Sequence, residues 1–434
     1  LPRIPQGMAA NCRTLPMVLE LRLKTMRWSG VALFIITYGL ISARRLQWLR
    51  FDRPAGALVG AVAFVVFGIL TPRQALDSVD GATLLLLFGV MGMGAFLSVH
   101  GFFDRAEEGL VRLARTPPRL LGLIVWTAGP LSALITNDAV CILGAPLVVR
   151  IIQKHRLTPL PFLLALATAS NTGSVATLVG NPQNMLCGLL GGLTYRHHVL
   201  LMAPVAAAGL LINHGILRWL FRKTLPKEPF AKSETRSEGS WHSHVTLGVI
   251  AATTVVYTLG GDLAWTATAG FAVLMLIHRT DTQHLWKRID WSLLLFFASL
   301  FVVVEGLNRS GAPAWFFQQY PLGGRQEGML EWFRLSAIFL VGSNIVSNVP
   351  FILVIREAMG SLANPIMGWE LLAMASTFAG NLTLLGSVAN IIVAEASRDI
   401  GGIGFWQYLR VGFPLTLLST LVGTVWMALI GPGW

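Results

Sequence analysis

The sequence predicts an all-α polytopic membrane protein built from two inverted repeats, each carrying two broken or re-entrant segments. Three observations carry that expectation: an overwhelmingly apolar composition, a set of landmarks that recurs in order, and equivalent loops that differ in charge. Of 434 residues, 54% are hydrophobic and 12% charged, where soluble domains carry about 25% charged residues. This composition excludes collagen, a disordered chain and a disulfide scaffold.

Residues 1–27 are polar and basic, opening on Leu1, and no short apolar core there ends in a small-residue cleavage site, so no removable signal peptide is expected. A first repeat is expected over 28–221. It holds apolar cores from Trp28 to Ile41, Ala57 to Leu70, Thr83 to Val99 and His198 to Leu220. With their flanks these approach or exceed the roughly 20 residues that cross a bilayer. Asp104 to Arg115 mixes charges with an apolar face at helical spacing, which fits an interfacial helix or an amphipathic cover. The longest polar stretch, 222–244, contains Lys223, Lys227, Lys232 and Arg236 and reads as a cytoplasmic linker. A second repeat follows over 245–434, with a core from Leu293 to Leu307.

The 33 Lys and Arg against 21 Asp and Glu give a net charge of +12. Dispersed over loops, this charge fits the positive-inside rule better than nucleic-acid binding. Cys12, Cys141 and Cys187 are too few and scattered for a disulfide framework, and they define no redox compartment.

The repeat rests on polar landmarks. Asp80-Gly-Ala-Thr-Leu-Leu-Leu-Leu87 matches Asp290-Trp-Ser-Leu-Leu-Leu-Phe-Phe297 at an offset of 210 (290 − 80), and Gly101 and Gly311 keep it. At the same offset Asn137-Asp138 falls on Ser347-Asn348. Thr177 to Asn184 matches Thr383 to Asn390 at 206 (383 − 177). The loop after the first Asn-Asp carries Arg150, Lys154, His155 and Arg156, whereas its counterpart offers Arg356 beside Glu357. A basic loop in one copy and a neutral one in the other is what inverted topology requires.

Four polar patches interrupt the apolar sequence: Thr136-Asn137-Asp138, Ser170 to Asn184, Ser343 to Pro350, and Gly380 to Asn390. Gly and Pro beside Asn, Ser and Thr break helices and free backbone groups that lipid cannot satisfy, so such breaks survive only in packed protein or around a hydrated cavity. Paired breaks in corresponding positions point to a midplane site, where half-helix N-termini face an anion and carbonyl, Asn or Thr oxygens ligate a cation. The plainer alternative is that the small residues only permit close helix packing.

These patches resemble the ion transporter superfamily, which holds arsenite permeases of the ArsB type, NhaD-type sodium/proton antiporters, silicon-efflux and P-protein relatives, and divalent anion/sodium symporters. The resemblance covers the chain from about Trp28 onward. It implies a re-entrant hairpin and a discontinuous transmembrane helix in each repeat, and a transport domain that moves against a scaffold domain. Carried over, Thr136, Asn137 and Asp138 form the first hairpin tip and Ser347 and Asn348 the second, with possible Na⁺ at the tips. The residues from Asn171 to Asn184 and from Asn381 to Asn390 form the two helix breaks. The binding residues so implied are Asn171, Thr172, Ser174, Thr177, Gly180, Asn181 and Asn184 with Asn381, Thr383, Gly386, Ser387 and Asn390. The Asn-Asp tip resembles the ArsB and NhaD branch more than the dicarboxylate symporters, which show Ser-Asn-Thr.

A carboxylate at mid-membrane costs roughly 2.5–3.5 kcal/mol, so Asp138 reads as functional: a coupling proton carrier, a cation ligand, or a cap for a half-helix starting at Ala139. Glu395 faces either the same cavity or a helix end near Arg398. His214, next to Asn213, reads as a packing histidine, and Cys141 and Cys187 as small hydrophobes rather than arsenite-binding thiols. The chain lacks a P-loop, a His-Glu-x-x-His pair and a Gly-x-Ser-x-Gly elbow, so no enzyme and no cofactor beyond a coupling Na⁺ or H⁺ are expected.

The expected function is secondary active transport of an inorganic anion or arsenite-like metalloid, coupled to protons or sodium by alternating access, across ten or eleven spans of a bacterial inner membrane. Sodium/proton antiport is the alternative, and an anion channel the alternative from another class. One charge crossing 100 mV supplies about 2.3 kcal/mol, enough for a gradient of roughly 40-fold. The lipid bilayer is the expected surrounding; a homodimer, and an accessory ATPase if the chain is ArsB-like, are the expected protein partners.

Overall fold

The computed structural model describes residues 28–41, 53–100, 102–226, 228–230, 241–279, 281–323 and 328–430. The segment 1–27 with Cys12, the linker residues Lys227, Lys232 and Arg236, and the landmark Gly101 lie outside the described residues. All regular elements among the described residues are helical.

The first half runs α1 (Trp28–Ile41), α2 (Arg53–Val66), α3 (Pro72–Asp77), α4 (Gly81–Val99), α5 (Phe102–Ala114), α6 (Pro117–Ile135), α7 (Asn137–Lys154), α8 (Pro159–Ser174), α9 (Pro182–Gly191) and α10 (Tyr195–Phe221). The second runs α11 (Trp241–Thr258), α12 (Leu263–His278), α13 (Thr282–Trp286), α14 (Trp291–Arg309), α15 (Ala312–Gln319), α16 (Met329–Val346), α17 (Asn348–Met359), α18 (Pro365–Ala379), α19 (Val388–Ala396) and α20 (Phe405–Ile430). Each element of the first half thus has a partner ten helices on. Among the described residues, α4, α6, α10, α14, α16 and α20 are long and apolar enough to cross a bilayer, and α1, most of α2 and α12 are shorter apolar helices. This is fewer than ten or eleven uninterrupted spans, because several remaining apolar stretches are split by helix breaks. Pro opens α6, α8, α9 and α18, where its missing N–H is one the helix leaves unbonded anyway.

The chain packs as two compact units, each drawing on both halves. Among the described residues, the first comprises 28–41, 53–81, 291–323 and 353–361. Its core sets Phe64, Leu70 and Ala61 against Val302 and Val303. A β-carbon at Gly306 would run into the Phe64 ring, so α14 approaches α2 through a residue without a side chain. Thr71 and Gln74 form a reciprocal cap at the start of α3. Arg356, expected in a loop, lies in the last turn of α17 and donates to Glu305 at 2.9 Å, and Arg309 donates to the same carboxylate at 2.8 Å.

The second unit takes the described residues within 82–290, 328–352 and 362–430 and contains all four polar patches. Here α8 lies so close to α6 that a β-carbon at Gly173 would overlap the Gly129 backbone. Every residue of α8 from Pro161 to Ser174 is buried, as is α18 from Met367 to Ala379. Buried on all sides, neither helix has a solvent-facing stripe, so the polar residues each carries are bonded inside the protein.

Candidate functional site

Helix α6 ends and α7 begins at Thr136, with φ 84° and ψ 144°; α16 ends and α17 begins at Ser347, with φ 72° and ψ 152°. Both are non-glycine residues in a region that is essentially glycine-only, at a cost of about 1–3 kcal/mol each. The two tips therefore share one backbone conformation, and it corrects the repeat register by one residue. Thr136-Asn137, not Asn137-Asp138, corresponds to Ser347-Asn348, an offset of 211 (347 − 136). Asp138 consequently matches Val349, and the slip escapes sequence comparison because Asn stands in both pairings.

Each tip is tied to the helix break of its own half. Asn137 donates its backbone N–H to the Gly180 carbonyl at 2.8 Å, and Asn348 donates Nδ2 to the Gly386 carbonyl at 3.3 Å. Thr136 caps α7 by accepting from the Ala139 N–H, so Asp138 sits inside the first turn rather than capping it. There its carboxyl meets the positive end of the helix dipole. Asp138 is 8% exposed.

The two breaks are narrower than the sequence implied. Helix α8 continues through Asn171 and Thr172 to Ser174, and α9 restarts at Pro182 behind Asn181, which accepts from the Asn184 N–H at 2.8 Å. Helix α18 continues to Ala379, and α19 restarts at Val388 behind Ser387, which accepts from the Ala389 N–H at 3.2 Å. The freed carbonyls are satisfied by the same device in both halves. Asn184 Nδ2 donates to Ser174 O and Thr177 O, at 3.1 and 3.0 Å; Asn390 Nδ2 donates to Gly380 O and Thr383 O, at 2.8 and 3.1 Å. A β-carbon at Gly180 would strike the Ser174 carbonyl and one at Gly386 would crowd the Gly380 carbonyl, so both glycines are required by close approach.

The halves also bond to each other, reciprocally. Asn171 Nδ2 donates to Asn390 Oδ1 at 2.8 Å and Ser387 Oγ to Asn171 Oδ1 at 3.0 Å. In return Thr377 Oγ1 donates to Asn184 Oδ1 at 2.9 Å and Asn181 Nδ2 to Thr377 Oγ1 at 3.1 Å. Every pair obeys one offset of 206: 377 − 171, 390 − 184 and 387 − 181. Contacts of i with j and j with i are the mark of an approximate two-fold. Asn171 further accepts from Asn137 Nδ2 at 2.8 Å and donates to Asn381 Oδ1 at 3.1 Å; Asn381 Nδ2 reaches Thr172 Oγ1 at 2.9 Å. Ser174 Oγ accepts from Asn181 Nδ2 at 2.8 Å, and Thr177 Oγ1 donates to Ala133 O at 2.6 Å.

The structure thus brings Asn137, Asn171, Thr172, Ser174, Asn181, Asn184, Asn381, Ser387 and Asn390 into one bonded cluster, with Thr177, Gly180, Thr383 and Gly386 supplying carbonyls at the breaks. Ser347 is exposed and makes the second tip chiefly through its backbone. Glu395 lies outside the cluster, largely exposed and 3.3 Å from Arg398, which resolves it as a helix-end residue. His214 accepts from Trp126 Nε1 at 3.1 Å, a packing role. Cys141 and Cys187 are buried and free.

Sequence reading missed Thr377, which is indistinguishable from any helical Thr, and also a buried pair. His198 Nδ1 lies 2.6 Å from Glu370 Oε2, both side chains 0% exposed, and His198 Nε2 lies 3.0 Å from the carbonyl of Val175, inside the first break. A carbonyl only accepts, so Nε2 carries a proton. The 2.6 Å contact then needs a second proton, on either the imidazole or the carboxyl. The pair is neutral as a whole and holds one exchangeable proton. Glu370 alone within an apolar helix was the available sequence sign.

The solved YdaH transporter of Alcanivorax borkumensis is similar in fold, with TM-score 0.52 at 14% identity, covering 95% of this chain and 98% of that one. The silicon efflux transporter LSI3 of Oryza sativa subsp. japonica is 29% identical over 91% of this chain and 96% of its own length. A Dictyostelium discoideum protein given the transporter name arsB is 26% identical over 88% of each. A 46 kDa membrane protein of Mycobacterium leprae is 25% identical over 92% of this chain and 97% of its own. Residues 31–379 match the profile described as CitMHS, citrate transporter, and with most of its length inside that match the chain belongs to this family of multi-pass membrane transporters.

Proposed function

We propose that the chain is a secondary transporter that carries an arsenite-like metalloid acid or small inorganic anion across the plasma membrane by alternating access, coupled to protons or sodium. The observation that carries this reading is the chemistry of the cross-half cluster: amides, hydroxyls and carbonyls, with the Asp138 carboxyl at the first tip, the neutral His198–Glu370 pair against the first break, and no Lys or Arg among the bonded residues. Such donors and acceptors suit a neutral or singly charged hydroxylated acid. A citrate-like polyanion carries a larger desolvation cost, which here only amides, hydroxyls and the positive ends of the half-helices would offset. Two relatives, named for silicon efflux and as arsB, support the same substrate class.

Under this reading Asp138 binds the coupling proton or cation at the first tip, where its carboxyl lies at the positive end of the α7 dipole and its backbone N–H donates to Asn137 Oδ1 at 2.9 Å. Sodium/proton antiport is the second reading, and it is favoured by the buried Asp138 carboxyl at an amide-lined tip. Purified protein in vesicles separates them. Saturable arsenite or silicic acid flux that alters internal pH is the expected result. Citrate flux without metalloid flux overturns the substrate class, sodium-driven pH change alone selects the antiporter, and unsaturated conductance selects a channel. Asp138→Asn is expected to slow flux at least tenfold, about 1.4 kcal/mol, and to flatten its pH dependence; an unchanged pH profile removes Asp138 from its role.

A further inference from the structure

Away from the helix breaks, three imidazoles meet at helix ends. His100 follows α4, His242 lies in the first turn of α11 and His278 closes α12. One ring nitrogen from each lies within 4.8 Å of those of the other two. His242 Nδ1 is 2.9 Å from His278 Nδ1, and the His100 ring lies 4.8 and 4.3 Å from the other two by centroid. His242 is exposed and His278 buried, so the cluster runs from the surface inward.

We propose that His100, His242 and His278 form a binding site for one divalent transition-metal ion of the zinc class, clamping the ends of α4, α11 and α12.

The hydrogen-bond pattern presents His278 as a ligand. The single hydroxyl proton of Thr246 goes to the His242 carbonyl at 2.9 Å, because a carbonyl cannot donate. The 3.1 Å contact between Thr246 Oγ1 and His278 Nε2 is therefore donated by the ring. That fixes His278 as the Nε2–H tautomer, with the lone pair of Nδ1 turned into the cluster. Metal-binding histidines show this arrangement, the outer nitrogen donating to a fixed acceptor. Ser243 Oγ donates to the His100 carbonyl at 3.3 Å, tying the start of α11 to the residue after α4.

The donor set selects the metal. Three neutral imidazoles suit Zn²⁺, Cu²⁺, Ni²⁺ or Co²⁺, whereas Ca²⁺ and Mg²⁺ require oxygen ligands. With bonds of about 2.0–2.1 Å, two nitrogens on a tetrahedral ion stand roughly 3.3 Å apart. The closest pair opens slightly and the widest closes to reach that figure. His100, stacked on His242 at an interplanar angle of 20°, turns its edge inward, a side-chain rotation at a helix end. Three protein ligands leave the fourth position to water, and exposed His242 gives the ion its entry. The site stands independently of the transported substrate.

The test uses the whole chain, without an affinity tag of histidines, chelator-treated in detergent and titrated with Co²⁺ and then Zn²⁺. The expected result is one Co²⁺ per chain with the visible absorption of a four-coordinate nitrogen site, displaced by Zn²⁺, and a zinc-dependent rise in melting temperature. His242→Ala and His278→Ala are each expected to abolish the absorption and the rise, while melting like the metal-free wild type; His244→Ala, beside the cluster, keeps both. Thr246→Val is expected to weaken binding by roughly 10- to 100-fold. Absence of stoichiometric Co²⁺ in the wild type, or binding undiminished in His242→Ala and His278→Ala, overturns the site.

Discussion

The two halves of the second unit share a backbone plan and differ in where they place polar side chains. Both turn at a strained tip, both restart a broken helix, and both answer the freed carbonyls with one asparagine, Asn184 or Asn390. The shared features are the ones lipid demands, since an unpaired backbone group at that depth has no water to turn to. The differences are the residues no such rule requires: Asp138 against Val349, Asn381 against Val175, and Glu370 against Leu164. Symmetry in this unit marks what holds the breaks together, and departure from symmetry marks the groups available for chemistry.

The sharpest way to break that comparison is to make the second half resemble the first at Glu370. Removing one member of a buried ion pair strands the other, so Glu370→Ala and His198→Ala are each expected to cost about 3–5 kcal/mol. The double replacement gives α18 the leucine that α8 carries at the equivalent position, Glu370→Leu, together with His198→Leu, and removes both desolvation penalties. It is expected to cost well under the sum of the two single changes. Unfolding in detergent measures the cycle; additivity would mean that the two side chains do not act as a pair.

A smaller effect tests the shared part. Asn171 and Thr377 occupy equivalent positions, yet Asn171 bonds Asn137, Asn381, Ser387 and Asn390, whereas Thr377 bonds Asn181 and Asn184. Asn171→Ala leaves several buried groups unsatisfied and is expected to cost about 3 kcal/mol, and Thr377→Val about 1 kcal/mol. Equal costs would show that the bonds are redundant, with the small residues acting through packing alone.

How much of this was legible follows from what each feature leaves in the sequence. The breaks were readable because Gly180-Asn181-Pro182 and Gly386-Ser387 are residues a buried helix avoids. The tips were readable to within one residue, the error arising because Asn137 and Asn348 are the true equivalents and Asp138 drew the alignment toward itself. The ends of α8 and α18 were not readable, since Asn171 and Thr172 favour loops yet are held helical by partners some 200 positions away. Thr377 and the histidine trio left no pattern at all. His100, His242 and His278 meet only through tertiary packing, and no local spacing announces three helix ends that converge.

The smallest expected effect separates the tips themselves. Thr136 and Ser347 carry the same strained backbone, and glycine relieves it at both places for about 1–3 kcal/mol, less about 0.5–1 kcal/mol for the greater freedom of an unfolded glycine. Thr136 also caps α7 through its hydroxyl, a bond worth about 1 kcal/mol that glycine forfeits. Ser347, with its side chain exposed, has less to lose. Ser347→Gly is therefore expected to raise stability by about 1 kcal/mol, while Thr136→Gly stays near neutral. Matched melting curves of the two variants decide it. If Ser347→Gly destabilises as much as a lost cap, the second tip is held by its side chain after all, and the tips are alike in energy as well as in shape.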